Sequence, residues 1–466
     1  MSKYILSIDA GTTGVTVILF NKKAQVVSKK YSEFSQIYPQ PGYVEHDPLE
    51  IWDVTKKLLT SISDESKKIY SIGITNQRET VVLWNKKTGK PIYNAIVWQC
   101  RRTEPECKKL IKKKYSKVIK EKTGLVIDSY FSATKIKWVI DNVKEAKVLA
   151  KSNNLLIGTI DTWLIWKLTG GSKHLTDHTN ACRTMLYNIN NFGWDEELLN
   201  LFTIKKNMLP AIKNSADDFG HTNIKIFNNS IKITGVAGDQ QAALFGQYGF
   251  KPNDTKCTYG TGCFILTNTG KNKITSKHGM LTTIACNKSG KPVYALEGSV
   301  FIGGAVIQWL RDELGLIKSA SETEKIALSI DDTKGVYIVP AFTGIGAPHW
   351  DMNAQGIITG ITRGTNKNHI IRASLESIAF QVNDLINCFS KDAKRRITTL
   401  KVDGGATLNN FLMQFQSDLS NIKIVKPENI ESTALGAALL SGIGSKYWTE
   451  KDIILNSQYI DKKYAS

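Results

Sequence analysis

Three short stretches place a carboxylate or hydroxyl beside glycine at the end of an apolar run. They are Asp9-Ala10-Gly11-Thr12-Thr13-Gly14, Tyr259-Gly260-Thr261-Gly262 and Val402-Asp403-Gly404-Gly405-Ala406. A Gly/Thr turn between two antiparallel strands converges backbone N–H groups and hydroxyls on one point, a concavity suited to a phosphate. Asp9, at the end of the first run, is placed to hold a phosphate-bound Mg²⁺, directly or through water. Adjacent glycines before a helical pattern let backbone approach a flat or charged ligand closely. A fourth stretch, Gly235-Val236-Ala237-Gly238-Asp239-Gln240-Gln241, reads as a strand end leading to a carboxylate and then a helix.

Other chemistries find less support. The seven cysteines are odd in number and form no C-x-x-C pair, which points to reduced thiols in a cytosolic protein rather than a disulfide framework or zinc site. A histidine-based metal site is not expected.

The elements that must carry these residues follow from periodicity and turn signals. Tyr4–Asp9, Val15–Phe20 and Ala24–Tyr31 read as consecutive strands, and Lys256–Tyr259 with Cys263–Asn268 repeat the strand–turn–strand arrangement. Two such units suggest two related α/β domains facing each other across a cleft, in keeping with a chain of 466 residues. The division expected is 1–246 and 247–466. The longest near-apolar run, Val300–Leu310, is about half the ~20 residues a membrane-spanning helix needs, so a cytoplasmic protein without membrane insertion is expected. The net charge of +19 raises the question of nucleic acid. Lysines cluster in Lys108–Lys122, with Leu110, Ile111, Tyr115, Val118 and Ile119 at helical spacing, which reads as one amphipathic helix with a solvated lysine face. No basic stripe interleaved with stacking aromatics accompanies it, so no nucleic-acid partner is expected.

The three Gly-containing turns, in this order, resemble the two phosphate segments and the adenosine segment of the actin-like, ribonuclease-H-like ATPase fold. Within that fold the chain resembles the FGGY carbohydrate kinases. Tyr130-Phe131-Ser132-Ala133-Thr134-Lys135-Ile136-Lys137-Trp138 is similar to one signature of the family, and Gly356–Ile361 with His369–Glu376 to the other. Thr75–Thr80, Val97–Arg102, Asp161–Trp163 and Gly238–Ala243 resemble the members that phosphorylate glycerol, and the likeness runs from about Tyr4 to Trp448.

The resemblance implies two ribonuclease-H-like domains around an inter-domain catalytic cleft, and transfer of the γ-phosphoryl group of ATP to glycerol with Mg²⁺. Asp239 is the implied general base, taking the acceptor proton; the same position would suit an aspartate that caps a helix. Arg78, Glu79, Tyr130, Asp239 and Gln240 are the implied polar contacts to glycerol, with Trp98 and Phe264 as an apolar wall. Thr12, Thr13 and Gly14 would face the β- and γ-phosphates, with Thr261, Gly304, Gln308, Gly405 and Asn409 as further nucleotide contacts. A homodimer or homotetramer is implied as well. Thr16 stands where the family pattern carries an arginine, so Mg²⁺ or a lysine must neutralise the transferring phosphate there, or turnover is slower. Thr222–Ile231 lacks a glycine- and arginine-containing loop for fructose 1,6-bisphosphate, and that inhibitor is not expected. A pentulose acceptor, a filament or chaperone role on the same fold, and a catalytically weak paralogue with a binding or regulatory role, motivated by Thr16, are the competing readings.

Overall fold

The computed structural model describes residues 3–428, 431–456 and 460–465. It divides into two compact units, the first made of Met1–Phe250, Thr283–Tyr294 and Ser432–Gln458, the second of Lys251–Thr282, Ala295–Glu431 and Tyr459–Ser466.

The first unit is built on a five-stranded sheet in the order Lys232–Gly238, Ile69–Asn76, Tyr4–Ala10, Gly14–Phe20, Val26–Glu33. The three strands that begin the chain pair antiparallel, whereas Tyr4–Ala10 with Ile69–Asn76, and Ile69–Asn76 with Lys232–Gly238, pair in parallel. Alternation along a strand sends successive side chains to opposite faces. Leu6, Ile8, Val15, Val17 and Leu19 accordingly join one core cluster with Trp84 and Trp163, while Ile5, Ile18 and Phe20 join another.

That second face is covered by the helix Ser432–Gly444, far along the chain, whose Ala434, Ala438, Leu439 and Leu440 are buried there. The helix lies close because glycines meet it. A Cβ on Gly73 would stand 2.1 Å from the Ala437 carbonyl oxygen, and one on Gly436 would stand 1.8 Å from that of Ala242. Ser441 completes the seam, with its hydroxyl 2.7 Å from that of Ser71.

The second unit contains a comparable arrangement, in which Cys263–Gly270, Thr255–Tyr259, Thr399–Asp403 and Lys423–Pro427 are neighbours in that order. Thr255–Tyr259 pairs antiparallel with Cys263–Gly270 and parallel with Thr399–Asp403, which pairs parallel with Lys423–Pro427. Both expected strand–turn–strand units are therefore present, each extended by parallel strands on one side.

The lysine-rich segment departs from expectation. It forms two helices, Glu104–Lys112 and Ser116–Thr123, rather than one. Lys114 sits at φ +64° and the Tyr115 N–H reaches back to the Leu110 carbonyl at 3.1 Å, a helix stop of the Schellman kind. Cys107, Leu110 and Ile119 are buried, and Lys108, Lys109, Lys112, Lys113 and Lys117 stay exposed. Among the described residues no helix is long and apolar enough to cross a membrane.

Candidate active site

In the first unit the parallel register aligns Ala10 with Asn76, and Asn76 with Gly238. Asp9, the Gln77–Glu79 segment and Asp239 thus leave the sheet from one edge, the carboxyl ends of three neighbouring strands. Open α/β sheets gather ligands at such edges.

The turn after Asp9 is closed by Gly11 N–H to the Gly14 carbonyl at 3.0 Å. Its other carbonyls are held by protein. The backbone N–H of Gln77 donates to Ala10 (2.8 Å) and its Nε2 to Gly11 (3.0 Å), Gln36 Nε2 donates to Thr12 (3.1 Å), and the Phe34 N–H to Thr13 (3.3 Å). Behind them, His46 Nε2 bonds Gln36 Oε1 at 2.8 Å and its Nδ1 lies 3.3 Å from Gln77 Nε2. Burial lowers the His46 pKa to about 4, so the ring is neutral and accepts from Gln77 while donating to Gln36. Thr12 receives the Trp98 indole N–H at 3.0 Å, Thr13 is exposed and Gly14 is buried. Gly14 is needed for packing, since a Cβ would meet the Ser32 carbonyl oxygen at 2.6 Å. Thr16 lies opposite Asp9 in the strand pair and is half-buried, as is Asp9.

Beside the turn is a cluster of opposed charges. Arg78 is buried and packs flat over Gly238, where a Cβ would come within 2.7 Å of its side chain. Its guanidinium reaches Asp239 Oδ1 from Nε (3.1 Å), Gln241 Oε1 from Nη1 (3.1 Å) and the Tyr130 hydroxyl from Nη2 (3.4 Å). The Asp239 side chain keeps 28% exposure against 1% for Arg78, so the base candidate faces outward from a buried cation. The Gln240 N–H donates to Asp239 Oδ1 at 2.7 Å, and Gln240 is itself buried.

Glu79 holds φ +61° while buried. A non-glycine residue in that region costs of order 1–3 kcal/mol and persists where surrounding structure requires it. Trp98 meets Tyr130 edge-on with ring centroids 5.7 Å apart. Arg78, Glu79, Trp98, Tyr130, Asp239 and Gln240 are therefore one assembly. It offers a fixed cation, two carboxylates, a phenol and an aromatic wall, the complement of a small polyol. Phe264 belongs to the second unit, buried in the strand Cys263–Gly270.

Several members of this region carry no clear mark in the sequence. The run Thr176–Thr184 (TDHTNACRT) is buried throughout except for His178. Asp177 there accepts from the Thr179 hydroxyl (2.7 Å), Asn180 Nδ2 (2.9 Å) and the Ser215 hydroxyl (2.7 Å). Thr179 in turn receives the Gly238 N–H at 2.9 Å, and Asn180 receives Asn76 Nδ2 at 3.0 Å. Arg183 places Nε 2.6 Å from Glu79 Oε1. The signal available is a dense polar run with neither helical nor strand period. His174 and His178 do stand four residues apart, a spacing that binds zinc on a helix. Here a short strand, Leu175–Asp177, separates them, and they bond instead to the Ile157 carbonyl (2.9 Å) and the Tyr187 hydroxyl (2.7 Å).

The second unit holds a cavity of about 460 Å³. Thr261, Gly304, Gln308, Gly405 and Asn409 all line it, above an apolar floor that includes Ile307, Leu375, Ile378 and Leu412. Gly304 N–H donates to the Gly260 carbonyl at 2.8 Å, tying the helix Ala305–Asp312 to the second turn. Asn409 shapes the wall: Oδ1 caps the helix Asn410–Ser420 at Leu412 N–H (2.9 Å), and Nδ2 donates to the Thr323 hydroxyl (3.0 Å). Gly404 has φ +91°, whereas a Cβ on Gly405 would meet nothing within 4 Å. A slot this size, with an apolar floor and bare backbone at Gly405, fits a nucleoside. The eight nucleotide candidates thus divide, three in the first unit and five here.

For the divalent cation, no group of three or more His, Cys, Asp or Glu side chains converges among the described residues. Asp9 beside the turn fits the usual Mg²⁺ mode, one or two carboxylates with phosphate oxygens and water.

Residues 4–246 match the model of the FGGY family of carbohydrate kinases, N-terminal domain, and residues 255–445 that of its C-terminal domain. A glycerol kinase of Clostridium botulinum (strain Langeland) is 56% identical over 469 residues, covering 100% of this chain and 94% of its own. Glycerol kinase 2 of Thermotoga maritima is 54% identical, covering 99% and 94%. Among solved structures, Plasmodium falciparum glycerol kinase with ADP superposes with a TM-score of 0.91 at 40% identity, over 100% of this chain and 94% of that one. A gluconate kinase from Lactobacillus acidophilus, at 24% identity and a TM-score of 0.88, shares the fold.

Proposed function

This chain belongs to the FGGY family of carbohydrate kinases, and we propose that it acts within that family as an ATP-dependent glycerol kinase, producing sn-glycerol 3-phosphate. The observation that carries this reading is the assembly of Arg78, Glu79, Asp239, Tyr130 and Trp98 at one sheet edge of the first unit. The glycerol kinase names of relatives more than half identical along the whole chain support it.

In this reading Arg78 and Glu79 take the hydroxyls that are not phosphorylated, one as donor and one as acceptor. Trp98 and Tyr130 line the hydrocarbon edge with Gln240 beside them, and Phe264 is a further candidate apolar contact carried by the second unit. Asp239 receives the proton of the attacking hydroxyl. Arg78 Nε, 3.1 Å from its Oδ1, holds that carboxylate in place. Thr12, Thr13 and Gly14 serve the phosphates from the first unit. Thr261, Gly304, Gln308, Gly405 and Asn409 serve the nucleotide from the second. Asp9 would hold Mg²⁺, directly or through water, and that ion would supply neutralising charge to the phosphates. Thr16 carries no charge, so neutralisation beside the first turn falls to such an ion or to a lysine. We place the enzyme in the cytoplasm, as a homodimer or homotetramer.

Acceptor choice tests the reading. With MgATP and a panel of glycerol, dihydroxyacetone, erythritol, xylulose and ribulose, glycerol should give the highest kcat/KM. A pentulose preferred over glycerol would replace it with another carbohydrate kinase activity.

A further inference from the structure

Two guanidinium groups and two carboxylates occupy the acceptor cluster, and their pairing is specific. Arg78 Nε stands 3.1 Å from Asp239 Oδ1 but 4.0 Å from Glu79 Oε1. Glu79 Oε1 is instead 2.6 Å from Arg183 Nε. Arg183 is fully buried, its Nη1 donates to the Thr283 hydroxyl at 3.3 Å, and its guanidinium carbon lies 5.6 Å from the Tyr130 ring and 5.3 Å from that of Phe131. A planar, bonded guanidinium against two rings fixes what it touches better than a flexible ammonium would.

We propose that Arg183 is a positioning residue for the acceptor site: it fixes the Glu79 carboxylate and backs Tyr130, and so leaves Arg78 to Asp239. This rests on the acceptor reading given above. Arg183 need not touch glycerol; it acts through Glu79.

Other charges near Glu79 include Arg78, Asp239 beyond it, and the buried ammonium of Lys135, whose Nζ donates to the Tyr130 carbonyl at 2.6 Å. Without Arg183, the Glu79 carboxylate loses the partner 2.6 Å from its Oε1. That loss should appear in the glycerol KM rather than the ATP KM, and as coupling between positions 79 and 183, which a general structural defect would not produce.

The experiment compares the full-length parent with Arg183→Met, Arg183→Lys, Glu79→Gln and the two doubles, by steady-state kinetics in glycerol and in ATP. Arg183→Met should raise the glycerol KM roughly ten- to hundredfold, and the ATP KM by less than about twofold. Arg183→Lys should recover part of the loss, and Arg183→Met placed on Glu79→Gln should add less than about twofold. If Arg183→Met does not fold, Arg183→Lys and its double carry the same comparison. Parent-like glycerol kinetics in the Arg183 variants, or an equal loss with and without Glu79, would overturn the inference alone. A parent with no glycerol-dependent activity would overturn the acceptor reading and this inference with it.

Discussion

At the scale of single residues, the site depends on charges kept apart by geometry rather than on one unusual group. Asp239 follows a strand end, opens the helix Asp239–Gly246 and pairs with a buried arginine, while its own carboxylate remains partly exposed. Asp239→Asn keeps the size of the side chain and its place in the first turn but cannot take a proton. It should remain folded and lose roughly 10²–10⁴-fold in kcat. Near-normal kcat in the folded variant would remove Asp239 from the role of base. Contiguous residues are readable at this scale. Arg78-Glu79 and Gly238–Gln241 lie within single short segments, and the fold brings them together. Arg183 is not readable, because its partner Glu79 lies 104 residues away and nothing local marks a buried arginine. The same holds for His46, joined to Gln77 across 31 residues.

Elements position these residues through close backbone approach. Two glycines of one sequence class do opposite work. Gly73 lies under the helix Ser432–Gly444, and a Cβ there would come 2.1 Å from the Ala437 carbonyl oxygen. Gly405 faces the second unit's cavity with nothing within 4 Å of an added Cβ. Gly73→Ala should therefore destabilise the protein by about 2 kcal/mol or more in denaturant unfolding, by overpacking. Gly405→Ala should leave stability unchanged and raise the ATP KM roughly three- to tenfold by narrowing the slot. Equal stability losses in the two would show that the cavity side of Gly405 is not open. The five strands of the two strand–turn–strand units are legible from alternation and turns, with ends within two residues of those observed, whereas parallel neighbours such as Ile69–Asn76 and Lys423–Pro427 are not. The lysine-rich segment reads as one helix but forms two, since the left-handed Lys114 that stops the first carries no glycine or proline to announce the break.

For the whole molecule, each unit contains an antiparallel strand–turn–strand pair whose first strand continues into parallel neighbours. That kinship is legible in the amino-acid sequence, where the strand–turn–strand pattern occurs twice. The discontinuity of the first unit is not. Its second face is closed by the helix Ser432–Gly444, apolar on all sides, and an apolar helix gives no periodic sign of which sheet it covers. Under the proposed function, with acceptor contacts in the first unit and nucleotide contacts in the second, activity should require both units. The most direct test is ADP release by the purified full-length protein with MgATP, measured with and without glycerol. A glycerol-dependent rate of order 1–100 s⁻¹ is the result predicted, and it would show that Thr16 serves where an arginine is expected. ATP binding with no stimulation by glycerol would contradict the proposal.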